Sequence, residues 1–207
     1  MWHCPLSPLM LEQGTREGEM PLAPPCETLA DGTYFYAWVH NAPQHFELPD
    51  AIGYEIGGHS GIEYLVLQTH YDRQQLEGPP DDSGIQVTFA PAAANPGMRR
   101  ASVFVSATEG MIPAKGVRHV EGSCPLTEEI EIHPVAYRVH AHSLGVSITG
   151  WQVTPDSKSW RAIGRRSPKQ PQQYNLIMDR QLTLRQGDVI ATRCVYNNTG
   201  ATDVRIG

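Results

Sequence analysis

Short runs of alternating hydrophobic and polar positions, separated by glycine and proline, dominate the chain from Thr33 onward. In a β-strand alternate side chains share one face, so these runs predict strands. The predicted strands cover residues 33–39, 52–56, 64–71, 85–89, 101–105, 117–124, 137–142, 147–153, 160–164, 182–184 and 189–196. No long stretch repeats its hydrophobic residues with the roughly 3.6-residue period of a helix. The pattern therefore predicts an all-β fold made of β-sandwich or jelly-roll domains.

A short proline-containing segment of small residues, 91–96, predicts a domain boundary near Ala93. We expect a first domain over residues 1–93 and a second over residues 94–207. Within the first domain, residues 1–30 are rich in proline, glutamate and glycine and show no period, so we expect them to be loop-like.

Composition and charge argue against several classes of protein. The 207 residues are 40% hydrophobic and 18% charged, which is typical of a globular protein. The net charge is −6 and the basic residues are scattered, so nucleic acid is not an expected partner. No apolar run approaches the roughly 18 residues of a membrane span, so we expect membrane contact only through segments outside this chain. The first residues do not form a signal peptide, which taken literally predicts a cytosolic protein unless the chain is a fragment.

The four cysteines are far apart and form no CxxC pair, which argues against zinc-finger and thioredoxin chemistry. Their even number is compatible with disulfide bonds in a secreted protein. The triplet Asn197-Asn198-Thr199 makes Asn197 a candidate glycosylation site.

The alternation places two histidines on one face of the strand predicted at 137–142. Arg138, His140 and His142 share this face, and the residues between them point the other way. Two imidazoles at positions i and i+2 lie about 6–7 Å apart at the backbone, so both rings can reach one metal ion. The Arg138 guanidinium would add a cation for a carboxylate beside that ion. The alternative is a solvent-exposed face that carries two surface histidines.

A third histidine, His70, ends the strand predicted at 64–71 and shares a face with Gln68. Three neutral imidazoles with few carboxylates nearby suit copper or zinc better than calcium or magnesium. The chain has no HExxH helix, no GxSxG turn and no glycine-rich phosphate loop, which argues against metalloprotease, serine hydrolase and nucleotide-binding classes. We expect the six remaining histidines to be solvated side chains in loops or near strand ends.

Three of these segments resemble the copper type II, ascorbate-dependent monooxygenases. They are LVLQTHY at 65–71, AYRVHAHSLG at 136–145 and GDVIATRCVY at 187–196. Shorter matches are YAW at 36–38, NAP at 41–43, IP at 112–113 and IGR at 163–165. The resemblance runs from about Tyr34 to Gly207, and within the family it favours the branch that hydroxylates peptides over the branch that hydroxylates amines.

The resemblance implies two β-sandwich domains, each with one copper ion. By position, His70 matches one of three histidine ligands of the first copper. His140 and His142 match two ligands of the second copper, whose third ligand is a methionine. The counterpart of Arg138 binds the carboxylate of a glycine-extended peptide, and that of Gln68 lies between the first copper and the substrate.

The activity that the resemblance implies is hydroxylation of the Cα of a C-terminal glycine, the first step of peptide amidation. Molecular oxygen is consumed and ascorbate is the reductant. A separate lyase activity, of which this chain shows no trace, would then split the α-hydroxyglycine product. The resemblance also implies a place in the secretory pathway or outside the cell.

The chain departs from the family pattern at both ends. The paired histidines expected upstream of Cys4 and the methionine expected beyond Gly207 are not in the sequence, and neither are the partners implied for the four cysteines. None of the internal methionines has a matching context: Met10, Met20, Met98, Met111 and Met178. We therefore expect a fragment whose first domain is incomplete and whose second domain lacks its C-terminal strand. We expect it to bind copper weakly and not to turn over.

Three alternatives stay open. The chain could be a non-catalytic β-sandwich that binds copper or zinc through His140 and His142 alone. It could be an adhesion or interaction module in which these histidines are surface residues. It could also belong to the amine-hydroxylating branch of the same family.

Overall fold

The computed structural model describes residues 34–39, 41–62, 65–67, 69, 79, 82–91, 95–106 and 108–206, and these form strands and loops without any helix. The predicted all-β class is therefore confirmed. The chain divides into two compact units, one containing Asp50–Val103 and the other containing Phe104–Gly207 together with Ala37–Pro49. In the part of the chain that is described, no helix is long and apolar enough to cross a membrane.

The first unit has little regular structure among its described residues. Strand β1 (Ile52–Gly53) pairs in parallel with β2 (Arg99–Arg100). The Tyr54 ring packs edge-on against Phe35 with the centroids 4.8 Å apart, and the Tyr54 hydroxyl donates a hydrogen bond to the Phe35 carbonyl oxygen at 2.9 Å.

Several strands predicted for the first half do not form. The segments 34–39, 85–89 and 101–105 are irregular in the structure, and half of the strand predicted at 64–71 lies outside the described residues. In the segment 85–89, Ile85, Val87 and Phe89 are 59%, 46% and 60% exposed. Alternation produces a strand only when another strand pairs with its backbone and a second layer covers its apolar face. The described residues supply neither for this segment.

A four-stranded antiparallel sheet organises the second unit. Its strands, in spatial order, are β4 (Gly116–Pro125), β11 (Val189–Asn198), β7 (Gly145–Val153) and β8 (Trp160–Arg166). On the central strand β11, Cys194 lies between Val120 of β4 and Ile148 of β7. All four strands were predicted from the sequence, over residues 117–124, 147–153, 160–164 and 189–196, and each is confirmed.

Three two-stranded ladders complete the unit. They pair β3 (Gly110–Ile112) with β12 (Val204–Ile206), β5 (Glu131–Ile132) with β10 (Leu184–Arg185), and β6 (Ala136–Tyr137) with β9 (Asn175–Leu176). Two apolar clusters connect these elements to the large sheet. The members of the first are Ile112, Ala141, Cys194 and Tyr196, with Val120, Leu144, Ile148 and Ile206 against them. The second consists of Leu126, Leu184 and Ile190, with Ile132 and Ile163 against them. Apolar residues of the large sheet and of the ladders thus meet in these two clusters, as the layers of a β-sandwich do.

A buried carboxylate closes the turn between β10 and β11. Gly187 takes a positive φ of 88°, which glycine tolerates without strain. The Asp188 carboxylate, 6% exposed, accepts hydrogen bonds from the Gln152 side-chain amide at 2.6 Å and from the Arg185 backbone amide at 2.9 Å. These bonds join the turn to strand β7.

Two of the four cysteines lie in described strands. Cys124 is on β4 and Cys194 is on β11, and both thiols are free. Cys4 and Cys26 lie outside the described residues. The predicted disulfide bonds therefore stay predictions.

Candidate metal centre

The segment that carries the paired histidines alternates between the core and the solvent. Only its start, Ala136–Tyr137, is paired as strand β6, so the strand predicted over 137–142 is shorter than expected. Val139 and Ala141 are 6% and 9% exposed, whereas the histidines between and after them are exposed. Because Ala141 belongs to the first apolar cluster, this side of the segment packs against residues of the large sheet. The histidine side chains are left on the opposite side.

The two imidazole rings lie next to each other. The ring centroids of His140 and His142 are 5.3 Å apart, and the ring planes meet at 84°. A copper or zinc ion binds imidazole nitrogen at about 2.0–2.1 Å, so one ion between two such rings is sterically feasible.

Gln172 contacts both His140 and Arg138 of this segment. Its side-chain oxygen Oε1 lies 2.6 Å from His140 Nδ1. Its backbone carbonyl oxygen accepts a hydrogen bond from Arg138 Nε at 2.9 Å. The sequence predicts residues 167–174 only as a loop, so Gln172 is a site residue that sequence reasoning missed. Nothing in the local pattern points to it, because the contact depends on a pairing across 32 residues.

The guanidinium of Arg138 is anchored at one end. It is half-buried, and Nε is its only nitrogen with a hydrogen-bond acceptor among the described residues. The two terminal nitrogens therefore remain available as a planar pair of donors. This is the geometry with which arginine binds a carboxylate through two parallel hydrogen bonds.

Tyr137 fixes the start of the segment against strand β8. Its hydroxyl donates a hydrogen bond to the Arg165 carbonyl oxygen at 3.3 Å, and its ring lies over Gly164. A Cβ at Gly164 would lie 2.5 Å from ring atoms Cε1 and Cζ, so only glycine allows this approach. Gly164 lies opposite Gly150 of β7, but only at Gly164 would an added Cβ meet the ring.

The other predicted ligands are not brought to this pair by the described residues. His70 and Gln68 lie outside them, and within the described ranges no three His, Cys, Asp or Glu side chains form a metal-binding group. Met178 is 99% exposed. It follows Ile177, whose amide donates a hydrogen bond to the Val135 carbonyl oxygen at 3.0 Å, so it lies beyond the end of β6 that is farther from His140. It is therefore not a third ligand in this structure.

Two further histidines and the candidate glycosylation site lie elsewhere. His133 Nε2 is 2.9 Å from the Glu131 carboxylate, and His45 lies 3.8 Å from Glu47, both on the surface. Asn197 is exposed near the end of β11, so its side chain is accessible for modification.

Comparison with known families identifies the class of protein. The family profile described as "Copper type II ascorbate-dependent monooxygenase, C-terminal domain" matches residues 99–207. The corresponding N-terminal domain profile matches residues 2–78. The chain therefore belongs to the copper type II ascorbate-dependent monooxygenase family, and the resemblance found in the sequence is confirmed.

Individual relatives cover most of this chain but only a small part of their own length. The chain is 36% identical over 167 residues to peptidyl-glycine alpha-amidating monooxygenase B of Xenopus laevis, covering 80% of this chain and 18% of that protein. It is 33% identical over 172 residues to the peptidylglycine alpha-amidating monooxygenase of Rattus norvegicus, covering 81% and 17%. Human dopamine beta-hydroxylase is 24% identical over 170 residues, covering 78% and 27%. The chain thus spans less than a fifth of the amidating relatives.

The predicted cofactors are those for which the family is named, copper and ascorbate. The chemistry of the donors fits copper, since neutral imidazole is a ligand that copper prefers and no carboxylate of a described residue is hydrogen-bonded or ion-paired to either ring of the pair. The C-terminal match contains the paired histidines and Arg138, and the N-terminal match contains Gln68 and His70.

Proposed function

We propose that the chain provides the second-domain copper site of a monooxygenase that hydroxylates the Cα of the C-terminal glycine in glycine-extended peptides. His140 and His142 are the copper ligands, and Arg138 binds the peptide carboxylate. The observation that carries this proposal is the pair of imidazole rings, whose centroids are 5.3 Å apart. Arg138 lies beside them, because Arg138 and His140 both contact Gln172. The names of the amidating relatives favour a glycine-extended peptide as the substrate.

Arg138 would orient the substrate. Its two terminal nitrogens donate two parallel hydrogen bonds to the C-terminal carboxylate, which fixes the plane of that group. The neighbouring Cα is then held on the side of the histidine pair, and this positioning lowers the entropic part of the barrier. Copper, when bound, supplies one-electron redox chemistry toward molecular oxygen, with ascorbate as the reductant.

Further parts of the proposal rest on the family resemblance. His70 is a ligand of a first copper ion, and Gln68 lies near the substrate; both are outside the described residues. The proposed domains are residues 1–93 and 94–207. A secretory or extracellular location, together with a glycan on Asn197, also belongs to this proposal, and the exposure of Asn197 supports the glycan.

Copper binding by the 207-residue chain tests the ligand pair. We expect weak Cu(II) binding, because the described residues bring only two ligands together, with nitrogen couplings in the EPR spectrum. The double variant H140A/H142A should lose both the binding and the couplings. The matched variant H119A/H133A removes two surface histidines and should retain them.

The melting temperature of the double variant should stay close to that of the wild type, since both side chains are exposed. Copper binding that is unchanged in H140A/H142A would contradict the proposal. Full ascorbate-dependent hydroxylation by this chain alone would contradict the expectation that the site is incomplete.

Binding of a glycine-extended peptide tests Arg138. The variant R138A should weaken the affinity roughly 10- to 150-fold, equivalent to about 1.5–3 kcal/mol for hydrogen bonds to a charged group. The variant R118A removes an exposed arginine and should bind as the wild type does. A peptide that ends in an amide should bind equally weakly to wild type and R138A.

The amine-hydroxylating alternative predicts a different substrate profile. A phenethylamine would then bind and the glycine-extended peptide would be refused, with no dependence on Arg138. A non-catalytic metal-binding module predicts copper binding without peptide binding. An interaction module with surface histidines predicts no copper at all. Copper binding, peptide binding and phenethylamine binding together therefore separate the alternatives.

A further inference from the structure

The orientation of the Gln172 side-chain amide is determined by its surroundings. Its nitrogen Nε2 donates to two backbone carbonyl oxygens, that of Pro168 at 3.0 Å and that of Ala141 at 3.2 Å. A carbonyl oxygen only accepts, so both contacts require the NH₂ end of the amide to point toward them. The oxygen Oε1 must then point toward His140.

This orientation fixes the tautomer of the His140 ring. Oε1 can only accept a hydrogen bond, and it lies 2.6 Å from His140 Nδ1. Nδ1 must therefore carry the proton and donate it to Gln172. In the neutral ring the lone pair is then on Nε2, which is the nitrogen left for a metal ion.

The backbone brings Gln172 to this position. Strand β6 pairs with β9 through Ala136 opposite Leu176 and Tyr137 opposite Asn175. This ladder brings the chain after β6 beside the chain before β9, and the hydrogen bond from Arg138 Nε to the Gln172 carbonyl oxygen at 2.9 Å holds Gln172 next to the histidine segment.

The loop that carries Gln172 is held close to the histidine segment. Pro168 lies against Gly145, where a Cβ would be 2.8 Å from the proline Cγ and 2.6 Å from the Cβ of Ala141. Only glycine leaves room for this approach. The half-buried Gln172 amide completes the contact through its bonds to the carbonyls of Pro168 and Ala141.

We propose that Gln172 is the positioning residue of the metal centre: its side-chain oxygen holds His140 as the Nδ1–H tautomer, with Nε2 directed to the metal. This inference rests on the proposed function only in naming the metal as copper. The tautomer itself is a property of the metal-free protein. Hydrogen bonds of this kind orient metal-bound histidines in many sites, and their removal typically weakens metal binding about 10- to 100-fold.

The first test is the tautomer of His140 in the metal-free 207-residue chain, read from long-range ¹H–¹⁵N correlation spectra of ¹⁵N-histidine protein at mildly alkaline pH. We expect the Nδ1–H form in the wild type. In Q172L, which is similar in size but has no acceptor, we expect a mixture of both tautomers. Q172E keeps an acceptor oxygen for Nδ1, although like Q172L it loses the two bonds that Nε2 donates to the carbonyl oxygens of Pro168 and Ala141. We expect the Nδ1–H form to be retained in Q172E.

The second test is Cu(II) affinity, measured by competition with a chelator. Q172L should bind about 10- to 100-fold more weakly than the wild type, whereas Q172E should stay close to it. The matched control is Q173L, because the Gln173 side chain makes no hydrogen bond within the described residues; it should leave both the tautomer and the affinity unchanged.

The outcomes separate the two proposals. A wild-type His140 in the Nε2–H form, or a Q172L variant with unchanged tautomer and affinity, overturns the role of Gln172. If Q172L does not fold, the wild-type and Q172E spectra still decide the question. If the wild type binds no copper but the tautomer follows residue 172 as expected, the positioning role stands and the proposed function fails.

Discussion

Tyr196 is the residue that links the core to the histidine segment. It is 7% exposed and belongs to the same apolar cluster as Ala141, which lies between the two proposed ligands. Burial raises the pKa of the Tyr196 hydroxyl, and the neighbouring Cys194 raises it further. The folded protein therefore holds this proton more tightly than the unfolded chain does.

The sign of this pKa shift predicts a loss of stability in alkali. Below the unfolded value of about 10, tyrosine is protonated in both states and its contribution to stability is complete. As the pH rises above about 10, the unfolded state loses the proton first, so the free energy of unfolding falls.

The variant Y196F should lack this part of the alkaline loss. We expect its free energy of unfolding, measured in urea between roughly pH 8 and pH 11, to decrease less steeply than that of the wild type. Parallel curves for the two proteins would show that Tyr196 does not contribute to the alkaline loss.

At the scale of the element, the contact between the Tyr137 ring and Gly164 of β8 fixes the position of β6. The Tyr137 ring occupies the space over Gly164, and Arg138 follows directly in the chain. Any side chain at Gly164 must displace the ring, and with it the start of the segment that carries the proposed site.

We expect G164A to lower the free energy of unfolding by about 1–3 kcal/mol, because the new methyl group overpacks a close contact between the Tyr137 ring and the backbone. The matched variant is G150A in the paired position, where the nearest atoms to a new Cβ are 3.9 Å and 4.0 Å away. It should change the stability little. Urea unfolding of both variants measures the difference, and equal stabilities would show that the ring moves aside without cost.

The strands of the large sheet could be predicted because their signal is local. Segments such as 147–153 and 189–196 are short runs rich in β-branched and aromatic residues bounded by turn residues, and the structure supplies each of them with neighbours on the sheet. That His140 and His142 share one face also follows from their spacing, because alternate residues of an extended segment point the same way. Gln172 could not be predicted, because its partner depends on the β6–β9 register, which the sequence of a proline- and glutamine-rich loop does not encode locally.

At the scale of the whole molecule, the two units differ in how well their apolar residues are covered. The second unit has two apolar clusters, whereas the segment 85–89 of the first leaves Ile85, Val87 and Phe89 about half exposed or more. The alternating pattern of segment 85–89 predicts a strand, as the patterns of the large-sheet segments do. This prediction failed because the described residues provide no pairing strand, and pairing is a property of the whole assembly of strands.

An exposed apolar segment predicts concentration-dependent self-association. The variant V87K places a charge in the middle of this segment and should reduce the association, with little change in the melting temperature because Val87 is 46% exposed. The variant Q86K adds the same charge without removing an apolar group and should have a smaller effect. Light scattering over a concentration series measures both, and equal effects would assign the change to net charge alone.

The contacts of Gln172 divide between its side chain and its main chain. The side chain reaches His140, but the bond to Arg138 uses the backbone carbonyl, which every amino acid possesses. A substitution at position 172 can therefore alter the contact with His140 while Arg138 keeps its backbone carbonyl acceptor. Through this one position, evolution can alter the proposed metal site and leave intact the backbone contact of the arginine that we propose binds a carboxylate.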